Sequence, residues 1–138
     1  MRVLVLEAST SAAKALVYDY EKGILSVESE NYGPKIDSGG VHDARGVYDV
    51  CLRLGRKAVS KAGKENIAAV ACVGVWHSVA PCDGAMNPVT GAYLWNFTGT
   101  GGICRRVRER TEEARDIYRR TGCMPNITYQ PYALLYLQ

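Results

Sequence analysis

Ala69-Ala-Val-Ala-Cys-Val-Gly-Val-Trp-His-Ser-Val-Ala-Pro-Cys-Asp83 is the stretch whose reading decides the fold. Its first half is an unbroken run of small and branched apolar residues, the pattern of a strand covered on both faces. Where the run ends it delivers Trp76, His77 and Ser78, and it then turns back through Asp83-Gly84. A covered strand with Trp, His and Ser at its edge builds one wall of a ligand pocket. Taken alone, the same residues also fit a core tryptophan and a hydrogen-bonded structural histidine.

Upstream, Arg2-Val-Leu-Val-Leu6 reads as a buried first strand running into Glu7-Ala-Ser-Thr-Ser11, a small hydroxyl-rich turn. Ala12 to Tyr20 resumes an extended pattern, Glu21-Lys22-Gly23 is a hairpin signal, and Ile24 to Tyr32 is a more polar strand expected toward an edge. This opening predicts an antiparallel meander, not a dinucleotide-binding βαβ start. Gly33 to Gly46, 14 residues with Pro34, Gly39, Gly40 and His42, has no periodicity and reads as a loop. Val47, Val50, Cys51, Leu54, Ala58 and Ala62 then recur at helical spacing. Gly63 ends that helix beside Lys61 and Lys64, and Asp43 is an upstream cap candidate that would start it before Gly46.

Downstream, a hairpin is expected through Asp83–Gly91, with a short strand Ala92-Tyr-Leu-Trp95 and a break over Asn96–Gly102. Ile103, Val107, Ile117 and Tyr118 fit one or two amphipathic helices closed by Arg119, Arg120 and Gly122. Arg105, Arg106, Arg108 and Arg110 are interleaved with Glu109, Glu112, Glu113 and Asp116, which reads as a solvated helix face. Tyr132 to Gln138 reads as a helix start whose Leu134-Leu-Tyr-Leu137 has no apolar partner in view, so a truncated domain is expected.

Composition narrows the class. A chain of 138 residues with net charge +3 fits one domain burying roughly 70% of its unfolded surface. The charge is too small to point to nucleic acid. No run reaches the ~18–20 apolar residues of a membrane span, and the N-terminus alternates like a strand instead of forming a signal-peptide core. Five cysteines without C-x-x-C spacing argue against zinc, and Cys51 and Cys72, in apolar segments, read as reduced, buried thiols of a cytoplasmic protein. The element order gives an α/β chain with a mixed sheet and flanking helices, a partial domain of the ribonuclease H-like (actin-like ATPase) fold.

Four motifs then resemble, in order, those of the FGGY carbohydrate kinases, in particular the gluconate-kinase-like and xylulokinase-like branches. They are Glu7-Ala-Ser-Thr-Ser-Ala-Ala-Lys14; Trp76-His77-Ser78 with Asp83-Gly84 and Pro88-Val-Thr90; Trp95-Asn-Phe-Thr-Gly99; and Tyr118-Arg-Arg-Thr-Gly-Cys123 with Tyr129-Gln-Pro131 and Leu134-Leu-Tyr-Leu137. The resemblance implies an N-terminal portion (residues 1–138) of the first domain of a kinase that passes phosphate from MgATP to a sugar, polyol or sugar acid. It implies that Glu7, Ser9, Thr10, Ser11 and Lys14 face phosphate and magnesium, Glu7 touching the metal through water. Trp76, His77, Ser78, Trp95 and Asn96 would bind the sugar, with weaker claims for Asn126 and Tyr129. Partners would be ATP and a gluconate- or xylulose-like carbohydrate, with a homodimer admitted and no nucleic acid or membrane. The family's catalytic base, an Asp further along, and its ATP-binding second domain fall outside these residues, so the isolated chain is expected to be non-catalytic. Three positions depart from the pattern. Ser9 replaces a phosphate-loop Gly, and Phe97 and Gly99 replace an Asp and an Arg. They favour the alternative of a non-catalytic pseudokinase or carbohydrate-binding module.

Overall fold

A computed structural model describes residues 1–63 and 66–138 in two compact units, Met1–Ser38 with His42–Val75, and Gly39–Val41 with Trp76–Gln138. In the first, β1 (Arg2–Ala8), β2 (Ala12–Asp19) and β3 (Gly23–Asn31) form the expected antiparallel meander. The short strands β4 (Asp37–Ser38) and β5 (Val41–His42) lead to α1 (Ala44–Ala62), and β6 (Ile67–Val73) returns parallel to β1. The sheet order is β3-β2-β1-β6, so the polar β3 does lie at an edge.

The alternation of β2 aims Ala13, Ala15 and Val17 at α1, where they meet Val50, Leu54 and Ala58 in one buried cluster. Two alanines and a valine keep that face low, and Gly55 lets the helix settle further, since a Cβ there would lie 2.9 Å from Leu6 Cδ2. At the far end of the helix the Arg2 guanidinium donates to the carbonyls of Ala62 (2.9 Å) and Gly63 (3.3 Å) and to Asp19 (3.2 Å). It thus closes the helix C-terminus and ties it to the β2–β3 turn. Buried Glu28 on β3 is paired with Lys57 (2.8 Å) and Lys61 of α1. Lys64, expected beside Lys61, lies outside the described residues.

Several expectations are corrected. Glu7 and Ala8 belong to β1, paired with Lys14 and Ala13, which narrows the turn to Ser9–Ser11. The helix starts at Ala44, capped by the Asp43 side chain on the Arg45 N–H (3.1 Å). Gly46 is no breaker here: a Cβ would sit 2.8 Å from Asp43 Oδ2, so its absence makes room for the cap. β6 is not covered on both faces. It is the outer strand, with Val70 57% and Val73 52% exposed and Cys72 exposed with them. A buried Cys72 is therefore wrong, whereas Cys51 is half-buried and its thiol is pushed up mainly by burial.

In the second unit the hairpin forms as expected: Val79 exchanges both backbone hydrogen bonds with Tyr93 (2.9 and 2.8 Å), and Asp83 caps the turn on the N–H groups of Ala85 and Asn87. The strand β7 is only Ala92–Tyr93, so Trp95 lies beyond it. Two helices follow, α2 (Gly101–Glu109) and α3 (Thr111–Thr121), and Gly122 closes the second at φ 72°, its N–H on the Tyr118 carbonyl. The α3 charges are spent in exposed pairs, Arg110–Glu113, Arg115–Glu112 and Arg120–Asp116, as a solvated face requires. The helix α4 (Gln130–Tyr136) begins two residues before Tyr132.

Candidate functional site

The phosphate-side candidates occupy the β1–β2 connection of the first unit. Ser9 commits both of its donors there: its N–H (2.9 Å) and its hydroxyl (2.8 Å) go to the Ala12 carbonyl. The Ser11 carbonyl accepts from the Tyr32 N–H at 2.9 Å, and the Thr10 carbonyl from His42 Nε2 at 3.0 Å. A carbonyl only accepts, so the ring carries its proton on Nε2. Glu7, half-buried on the adjoining strand, is 3.6 Å from the exposed Lys14 ammonium. The hydroxyl of Tyr32, whose N–H bonds the turn, is buried with no hydrogen-bond partner among the described residues, and burial first, then the charges of Cys51 and Glu7, pushes its pKa up to about 12.

His42 is the residue that sequence reasoning left without a role. It is 3% exposed, meets Tyr32 edge-on at 5.0 Å, and holds the turn from 32 positions away. The only local signal was a histidine after Gly39-Gly40 in an aperiodic segment, and its partner is set by the tertiary fold.

Magnesium takes one or two carboxylates, completing its shell with water and substrate phosphates. Glu7 supplies one carboxylate, and no cluster of three or more His, Cys, Asp or Glu side chains exists among the described residues. That donor set fits an ion carried in with nucleotide phosphates and does not fit a cage built by the protein.

The carbohydrate-side candidates belong to the second unit. Trp76 is 73% exposed, which rules out the core reading. His77 adopts φ 55°, a left-handed conformation that costs a non-glycine residue about 1–3 kcal/mol. There its ring lies between those of Trp76 (4.3 Å, tilted 32°) and Tyr129 (5.0 Å, edge-on). These rings line a cleft of about 470 Å³ whose other walls include Thr121, Cys123 and Tyr132. Such a volume suits a small ligand, and aromatic faces beside a few polar groups suit the C–H and O–H surfaces of a polyol.

The Tyr129 wall is held from behind. Arg108 Nε donates to the Pro125 carbonyl (2.7 Å), and the buried Thr100 hydroxyl donates to the Ile127 carbonyl (3.1 Å). Asn126 folds the last turn through its side chain on the Thr128 N–H (3.2 Å) and its carbonyl on the Tyr129 N–H (3.1 Å). A hydrogen bond with the Cys123 thiol pushes the Tyr129 phenol up. Ser78 is half-buried just past this cleft, while Trp95 and Asn96 are exposed on the loop after β7 and stand outside its lining. The structure thus joins His77 and Trp76 with Tyr129, the candidate for which the sequence signal was weakest.

The first unit, a mixed sheet opened by a three-strand meander with α1 packed on it, has the fold class of the sugar kinases. The chain belongs to the FGGY family of carbohydrate kinases, whose N-terminal domain model matches residues 2–137. It is 27% identical over 129 residues to the glycerol kinase of Sinorhizobium fredii, covering 88% of this chain and 25% of that protein. The gluconate kinase of Lactobacillus acidophilus superposes with a TM-score of 0.84 at 22% identity, covering 99% of this chain and 28% of that one. The xylulose kinase of Rhodospirillum rubrum does so at 0.86 and 15% identity, covering 99% and 29%. These likenesses establish the actin-like ATPase fold. The chain spans about a quarter of the length of the relatives it matches.

Proposed function

We propose that residues 1–138 act as the N-terminal portion of the first domain of a carbohydrate kinase, with the ATP-binding domain and the catalytic base supplied from outside them. In this reading the His77 cleft takes a small polyol, sugar or sugar acid. His77 hydrogen-bonds a hydroxyl, and Trp76 and Tyr129 pack against carbon faces. The Ser9–Ser11 turn, with Thr10, Ser11 and Lys14, receives the phosphates of ATP, and Glu7 would hold their magnesium through water. The bound ion would supply charge neutralisation of the phosphates. The chain's own residues position and orient. The reading carries with it a cytoplasmic protein and admits a homodimer.

The observation that carries it is His77 itself, held in a left-handed conformation between two aromatic rings at the wall of a ligand-sized cleft. Titrating the chain with glycerol, D-xylulose and D-gluconate, read by tryptophan fluorescence, tests it. Loss of one hydroxyl contact in His77→Ala is expected to weaken the preferred ligand about tenfold. Equal affinity in the variant would sink the assignment. The committed donors of Ser9 favour a second reading, a carbohydrate-binding module without phosphoryl transfer. The longest natural chain separates the two, since that module would bind sugar without consuming ATP.

A further inference from the structure

Phe97 and Gly99, the two departures from the family pattern on the loop after β7, are one packing unit. A Cβ at Gly99 would lie 2.3 Å from Phe97 Cζ and 2.7 Å from Cε1, so any side chain at 99 must expel the ring. The ring is half-buried between two others. It meets Tyr93 edge-on at 4.9 Å and Tyr136 at 5.1 Å, and those two meet each other at 5.8 Å.

The backbone under the ring is pinned as well. The Phe97 N–H donates to the Leu94 carbonyl (3.0 Å), and the Leu94 N–H donates to the Gly40 carbonyl (2.9 Å). Gly40, at φ 88°, approaches so closely that a Cβ would stand 2.9 Å from Phe97 N. Tyr136 closes α4, and the other end of that helix delivers Gln130, Pro131 and Tyr132 to the His77 cleft.

We infer that Phe97 is a positioning residue for the His77 cleft: it braces α4 through Tyr136, and Gly99 is bare because the Phe97 ring occupies the space of its side chain. The exchange of two polar residues for Phe and Gly is then a single packing solution in which neither residue touches the ligand. Restoring a long polar side chain at 99 alone would eject the ring and loosen the helix. The effect on ligand affinity rests on the carbohydrate reading above, whereas the coupling between the two residues does not.

The test is a double-mutant cycle on the 138-residue chain with Phe97→Leu, Gly99→Ala and both together. Phe97→Ala is added if it folds, and Phe97→Leu serves if it does not. Gly99→Ala alone is expected to lower the urea midpoint and to speed exchange of the Leu137 amide, which closes α4 on Ala133 and Leu134, by roughly tenfold. With Phe97 shortened, adding Gly99→Ala should cost nothing further. An equal penalty in both backgrounds would overturn the coupling, as would unchanged α4 exchange in every Phe97 variant.

Titration with glycerol, D-xylulose and D-gluconate then reads the functional half. Phe97→Leu is expected to weaken binding about threefold to tenfold while His77 is intact. Full affinity despite a loosened α4 would overturn the positioning role. Absence of any carbohydrate signal in the unaltered chain would fell the carbohydrate reading, and the cycle would still decide the pair.

Discussion

The tie between His42 and Thr10 separates ring packing from hydrogen bonding in one small series. His42→Phe keeps an aromatic ring against Tyr32 and removes the Nε2 that donates to the Thr10 carbonyl and lies 3.7 Å from Asp37 Oδ1. Stripping a partly buried acceptor of such a donor costs about 1–3 kcal/mol. His42→Ala also deletes the ring and with it an edge-on pair worth about 0.5–1.5 kcal/mol, besides the packing of a residue only 3% exposed. The expected order of stability is therefore unaltered chain, then Phe, then Ala, with the last down by roughly 2–4 kcal/mol. Urea unfolding followed by circular dichroism measures it. At a slope of about 2 kcal/mol/M the alanine midpoint falls by 1–2 M, a shift well outside error. If the phenylalanine variant matches the unaltered chain while alanine does not, the ring alone matters and the hydrogen bond contributes nothing. If neither moves, the turn is not held by His42 at all.

Asp43→Ala removes the side-chain cap of α1 and should cost about 1 kcal/mol; Gly46→Ala should lose much of the same cap by collision with the carboxylate, despite the better helix propensity of alanine. Differential scanning calorimetry of both variants checks that a nominally favourable glycine replacement goes the wrong way. The Glu28 carboxyl is held below the usual range by hydrogen bonds from Lys57 and then Lys61. Its stabilisation is therefore full above the unfolded carboxylate value and is lost as pH falls through the lower folded one. Glu28→Gln should be less stable at neutral pH and should show a flatter acid limb, which urea midpoints taken between pH 6 and pH 2 would report.

Local patterns announced local structure. The alternation of β1, β2 and β3 and the three-and-four spacing of α1 follow from which face each element buries, and that is written in the residues themselves. The covering of β6 is not, because an apolar run records which side chains tolerate burial, whereas the strand's place at the edge of β3-β2-β1-β6 decides whether burial happens. Gly46 misled for a related reason: read as a break, it is an empty volume claimed by a neighbour's carboxylate. At the candidate site, Trp76 and His77 were legible because they stand where the apolar run stops, just past β6. Tyr129 reaches them only through a turn held by Arg108, Thr100 and Asn126, contacts that no spacing in the sequence records.

The parallel pairing of β1 with β6 sets an order of assembly. The meander needs only two tight turns, so β1, β2 and β3 can find one another through near neighbours. β6 must wait for some sixty residues, α1 among them, to be laid across the sheet before its register with β1 exists. The strand that precedes His77 in the sequence is thus expected to be the last of the sheet to be seated, which pulsed hydrogen exchange of the β6 amides during refolding would report.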